Sequence, residues 1–98
     1  MAFGLKRDEL NQWKRNVRAG KIDFITHYWL DDRFPGCNTV TKVGCSDLEK
    51  LKEWGRKYNL DESWIDLRPE YPHFDLFGDH QWQILKSENK LNQLERFK

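Results

Sequence analysis

The chain has no apolar run approaching the roughly 20 residues that span a bilayer. Its start, Met1-Ala2-Phe3-Gly4-Leu5-Lys6, lacks the long apolar region of a secretory signal. The expectation is a cytoplasmic protein with no membrane partner. Cysteine is scarce, with only Cys37 and Cys45, and these flank an apparent strand. Eight strand residues at about 3.3 Å each hold two thiols far beyond the roughly 4.4 to 6.8 Å Cα separation of a disulfide. Two free thiols are therefore expected, sharing no metal ion. No zinc-type spacing, glycine-rich phosphate loop, Gly-x-Ser-x-Gly elbow or His-Glu-x-x-His sequence occurs. None of the common short signatures names a reaction.

What is present is aromatic. Five Trp, six Phe and three Tyr stand in 98 residues, and each can bury roughly 150 to 250 Å², enough to make one small core viable without metal or disulfides. The expectation is a single compact domain over residues 1–98. The net charge of +1 is unevenly spread: residues 1–21 carry six basic and two acidic side chains, residues 22–85 seven basic and twelve acidic. The basic surface is thus the first helix, where Lys6, Arg7, Lys14, Arg15 and Arg18 flank an apolar stripe of Leu10, Trp13 and Val17 ended by Ala19-Gly20. Such a face is either a solvated helix surface or a contact for an anionic partner.

Further elements follow from periodicity. Ile22 to Trp29 predicts a strand with large apolar groups on both faces, as in a central strand, and Pro35-Gly36 predicts a turn after the charged Asp31-Asp32-Arg33. Asn38 to Gly44 predicts a more polar strand, suited to a sheet edge, with Lys42 guarding that edge. Ser46-Asp47-Leu48-Glu49 reads as a capping box opening a helix to Asn59, with Leu48, Leu51, Trp54, Gly55 and Tyr58 as its stripe. One helical turn capped by Asp61 precedes a strand over 72–77. Asp79 then caps a helix with Trp82 and Leu85 inward, and a short terminal helix carries Leu91, Leu94 and Phe97. Trp29, Trp54, Trp64 and Trp82 are expected in the core.

The order α-β-β-α-β-α predicts an α+β fold. A crossover joining the second and third strands through a helix makes them parallel, so the expected architecture is a small three-stranded mixed sheet of order 2-1-3 with helices packed on it. That order places His27 beside His73 at one sheet end. The central stretch is Tyr71-Pro72-His73-Phe74-Asp75-Leu76-Phe77-Gly78, in which alternation sends His73 and Asp75 to one face and Phe74 and Leu76 to the other. His73, Asp75 and His27 are the candidate catalytic residues. Arg33, Lys42 and Arg68 are candidates for holding a ligand, and His73-x-Asp75 offers two metal ligands, with a third to come from His27 or the Asp31 loop. Each also has a bland reading as a satisfied structural group.

Lys42-Val43-Gly44-Cys45-Ser46-Asp47-Leu48-Glu49-Lys50-Leu51 followed by Pro72-His73-Phe74-Asp75-Leu76 resembles a widespread bacterial domain family of unknown function with a Pro-His-aromatic-Asp-Leu signature. That resemblance covers about half the chain. A histidine often stands in that pattern where this chain has Lys42, so no metal role carries over to it. Over its whole length the chain resembles the small uncharacterised YneQ-type proteins of Bacillus-group bacteria. Neither resemblance implies an activity.

Three functions fit these residues. The first is a binding protein for an anionic ligand, a nucleotide or nucleic acid, held by Arg33, Lys42, Arg68 and His73 beside the basic helix. The second is a small hydrolase or phosphoryl-transfer enzyme, with His73 as acid or base, Asp75 orienting it, His27 as partner and Arg33 stabilising charge. The third is a protein-interaction adaptor in which the polar cluster is structural.

Overall fold

The computed structural model describes residues 6–28, 33 and 38–95. Over them the chain forms α1 (Arg7–Arg18), β1 (Asp23–Tyr28), β2 (Thr39–Gly44), α2 (Leu48–Lys57), a 3₁₀ turn (Glu62–Trp64), β3 (His73–Leu76), α3 (Gly78–Ser87) and α4 (Asn92–Glu95). The three strands make one sheet of order β1-β2-β3, and both pairings are antiparallel.

This α+β fold corrects the expected strand order and the mixed sheet. The crossover rule assumes a single traverse between β2 and β3, whereas the chain makes two. After α2 it crosses back through the 3₁₀ turn to Ile65-Asp66 and then reverses, with Tyr71 N donating to Arg68 O at 3.2 Å and Asp66 pairing antiparallel with His73. Pro69, second in that turn, presets its φ. The reversal delivers β3 antiparallel to β2.

β2 is therefore central despite its polarity, because its polar groups are satisfied inside the protein. Thr41 Oγ1 lies 2.6 Å from Thr26 Oγ1 and accepts from Gln81 Nε2 at 3.0 Å, while Thr39 Oγ1 donates to Gln81 Oε1 at 3.2 Å. β1 lies at the edge, and its large residues on both faces are explained by helices above and below it. Lys42 accordingly sits between Ile25 and Asp75 in the middle of the sheet and guards no edge.

The register defines the two faces. Phe24, Val43, Phe74 and Leu76 turn to one side, where Leu51 and Trp54 of α2 and Ile84 and Leu85 of α3 complete the main core. Ile25 turns to the other side and packs under Trp13 and Val17 of α1. Gly44 permits that contact, since a Cβ there would stand 2.7 Å from the Trp13 ring.

Helix ends follow local chemistry with some shifts. Gly20, Asn59 and Asn89 all adopt positive φ after α1, α2 and α3, and each is followed by an amide reaching back five residues: Lys21 N to Asn16 O, Leu60 N to Gly55 O and Lys90 N to Leu85 O. The cap of α2 is Asp47, whose side chain accepts from Lys50 N at 3.2 Å. Ser46, expected to be that cap, instead donates its hydroxyl to Arg18 O and its amide to Val17 O, tying the end of β2 to α1. Asp79 lies in the first turn of α3, whose N-cap is Phe77. That phase turns Gln81, Ile84 and Leu85 inward and leaves Trp82 half exposed beneath Lys86. Trp64 is also 55% exposed, so of the four tryptophans expected in the core Trp54 is there, and Trp29 lies outside the described residues. Cys45 is a buried free thiol donating to Gly20 O, and Cys37 lies outside the described residues.

Candidate cation site at the β3 edge

Gly44↔His73 and Lys42↔Asp75 are neighbouring rungs of the β2–β3 ladder, and alternation puts Lys42, His73 and Asp75 on the α1 side of the sheet. Phe74 and Leu76, anchored in the main core, hold the strand from behind. His73 is 4% exposed, with its ring edge-on to Trp13 at 6.3 Å. The Asp66 bridge brings a second carboxylate to the same place.

The ring orientation determines the chemistry. His73 Nδ1 lies 2.8 Å from the Tyr71 carbonyl oxygen, which can only accept, so Nδ1 carries the hydrogen. Nε2 then faces Asp75 Oδ1 at 3.5 Å and Asp66 Oδ2 at 3.8 Å. One ligand atom from each of Asp66, His73 and Asp75 lies within 4.8 Å of the others. A histidine fixed by a backbone carbonyl on one nitrogen, with the other aimed at carboxylates, is the arrangement in which proteins present imidazole to metals. Ligand atoms on one face of a first-row cation lie about 3 Å apart, given bonds of roughly 2.1 Å. The two carboxylate side chains are 42% and 45% exposed and have room to close by that amount.

Cationic side chains border the cluster. Arg68 Nε is 3.5 Å from Asp66 Oδ1, and Lys42 is half-buried opposite Asp75. Lys14 and Arg18 of α1 lie over the Tyr71 ring at 5.6 and 5.9 Å. The basic helix face therefore reaches the residue whose carbonyl orients His73.

Two expected members lie elsewhere. His27 pairs with Val40, four residues along β2 from the Gly44 partner of His73. At about 3.3 Å per residue and about 4.8 Å per strand, the two backbones are about 16 Å apart. The correction has the same cause as the strand order, since β2 separates β1 from β3. Arg33 is an exposed residue in the β1–β2 connection, which leaves the sheet at the end opposite Gly44. Asp31 and Asp32 lie outside the described residues. Asp66, the third member of the cluster, is not legible in the sequence because its stretch reads as the tail of a helical turn. Pro69 between two short segments was the available hairpin signal.

His27 has a different character. It is 6% exposed, its Nδ1 donates to Tyr28 O at 2.8 Å, and its buried Nε2 has no hydrogen-bond partner among the described residues. Burial pushes its pKa below the ordinary 6.5. The Tyr28 carbonyl opposes that shift, Lys42 adds to it and Asp75 opposes it. The folded protein thus holds His27 neutral while the unfolded chain binds a proton near pH 6.5, so stability present above that pH is lost as pH falls towards the folded pKa. Urea unfolding of wild type and His27→Leu at pH 8 and pH 5.5 is expected to show the larger acid loss in the wild type. Equal losses would mean that His27 is not held neutral by the fold.

The class defined here is a small α+β protein with a three-stranded antiparallel sheet and a carboxylate–histidine cluster at one edge. The chain is 57% identical over 97 residues to "Uncharacterized protein YneQ" of Bacillus subtilis (strain 168), covering 99% of this chain and 98% of that protein. It belongs to the YneQ family of bacterial proteins. No protein-family model and no solved structure matches it. Among the described residues, no helix is long and apolar enough to cross a membrane.

Proposed function

We propose that the protein binds a phosphate-bearing anion such as a nucleotide through a divalent first-row cation held by Asp66, His73 and Asp75. The observation that carries this reading is the hold of the Tyr71 carbonyl on His73 Nδ1, which aims Nε2 at two carboxylates. A ring nitrogen and two carboxylates turned towards one point form a donor set for a cation. One nitrogen and two carboxylates suit manganese or zinc better than calcium, which favours an all-oxygen shell. Three protein ligands leave coordination positions open for an anion; Arg68 and Lys42 border the carboxylates, and Lys14 and Arg18 lie over the neighbouring Tyr71 ring.

The geometry supports binding over acid–base catalysis. A catalytic histidine needs one nitrogen towards its orienting group and the other towards substrate. Here the backbone carbonyl takes the first and the carboxylates take the second.

Calorimetric titration of the metal-free protein with Mn²⁺ and Zn²⁺ tests the reading. One site per chain is expected, weakened at least tenfold by His73→Ala and by Asp75→Asn, with ADP affinity dependent on the metal. Metal binding unaffected by both substitutions, or none at millimolar concentration, would sink it.

A further inference from the structure

β3 is an edge strand, and among the described residues its outer side is only partly occupied. Successive residues of a strand direct their N–H and C=O groups to opposite edges. Cys45 N donates to Pro72 O on the inner side, while His73 exchanges both of its backbone bonds with Asp66 on the outer side, at 3.1 and 2.8 Å. Phe74 and Leu76 therefore bond inward to β2, and Asp75 turns its N–H and C=O outward. The Asp66↔His73 bridge is a single isolated rung. A continuous strand would place residue 64 opposite Asp75, but residues 62–64 curl into the 3₁₀ turn, where Trp64 N bonds Asp61 O and Ile65 N bonds Glu62 O.

A cavity of about 400 Å³ opens beside that unfilled rung, lined by Leu60, Trp64, Phe74, Leu76, Phe77 and His80 together with Asp75. Its walls are mainly apolar, and the half-exposed Trp64 stands 6.4 Å from the His80 ring. The two segments that form it, residues 60–64 and 74–80, carry Asp61, Glu62 and Asp79 besides Asp75, whose carboxylate turns to the other face, and no lysine or arginine; Arg56 lies 3.6 Å from Glu62, so Asp61 and Asp79 supply most of the rim's charge.

From these features we infer that the β3 edge takes an extended segment of a partner protein as an added strand, with an aliphatic side chain in the Trp64 cavity and basic residues on either side of it. The open rung offers a donor and an acceptor at strand spacing, which a polypeptide backbone answers directly. The acidic rim selects for positive charge on the incoming chain. A second copy of this chain is disfavoured, because two-fold pairing of β3 edges brings the two acidic rims together. The inference does not rest on the cation reading. The Asp75 carboxylate lies on the α1 side with His73, whereas the cavity opens among Phe74 and Leu76 on the opposite side.

The probe is a capped seven-residue peptide alternating lysine and valine with leucine at its centre, titrated into the ¹⁵N-labelled full chain without metal. Saturable binding is expected, with the Asp75 amide becoming protected from exchange. Trp64→Ala should weaken binding at least tenfold, and N-methylation of the peptide's central residue, which removes its backbone donor, should do the same. A glutamate-for-lysine peptide should not bind. Trp64 is exposed, so the variant should fold, and its spectrum checks this. No saturation at millimolar peptide, or binding indifferent to both changes, would overturn the inference. Protection of the Asp75 amide in free protein that rises with protein concentration would assign the edge to a second copy, and would also overturn it.

Discussion

Glu88→Ala is expected to lower the unfolding free energy by about 2 to 4 kcal/mol, because it leaves two donors without partners at about 1 to 3 kcal/mol each. Glu88 follows α3, and its carboxylate reaches across to α2. Oε1 accepts from Trp54 Nε1 at 2.7 Å, and Oε2 accepts from the Tyr58 hydroxyl at 2.6 Å, with Lys57 Nζ at 3.4 Å. Trp54 belongs to the main core, where its ring meets Phe24 and Phe74. Burial pulls the Glu88 carboxyl upward, but the bonds from Trp54, Tyr58 and Lys57 together outweigh it and leave the pKa below its ordinary 4.5. The carboxylate's contribution is therefore present above that pH and lost as pH falls through the folded value. Tyr58 is displaced the other way, pushed up to about 12 by burial and then by the Glu88 bond. Its share persists below pH 10 and is lost as pH rises towards about 12. Urea unfolding at pH 7 reads the main effect, and tyrosinate absorbance of Glu88→Ala should show one tyrosine ionising closer to 10. A stability change under about 0.5 kcal/mol would show that water replaces the carboxylate freely.

Gly55→Ala sets two effects against each other. Alanine in a helix interior is favoured over glycine by about 1 kcal/mol. At this position, however, the added Cβ would stand 2.6 Å from Phe74 Cζ and 2.8 Å from Cε2. Phe74 is among the largest fully buried side chains, so the ring cannot move without displacing α2 or β3, and overpacking of this kind costs about 1 to 3 kcal/mol. The expected net result is a loss of about 1 to 2 kcal/mol. It should grow to about 3 for Gly55→Val, which adds two methyl groups and a β-branch. Thermal unfolding of both variants checks the order. A stabilised Gly55→Ala would mean that the core at Phe74 yields more readily than its packing implies.

The features legible in the order of residues are local. The stripe of Trp13 and Val17, the helix ending at Asn59 and the shared face of His73 and Asp75 all depend on 3.6- or 2-residue periods, or on which residues tolerate positive φ, and these act within a few positions. The strand order emerges from long-range packing, because the two traverses between β2 and β3 depend on a reversal at residues 68–71 that no periodicity announces. Long-range packing also decided that a threonine-rich strand could be central. The satisfying amide of Gln81 comes from 40 residues beyond Thr41, and a hydrogen bond over that separation leaves no local trace. The candidate site divides the same way. Two of its ligands are neighbours on one strand face and could be read directly. Asp66 joins them across a turn, and His27 is removed from them by the strand that lies between.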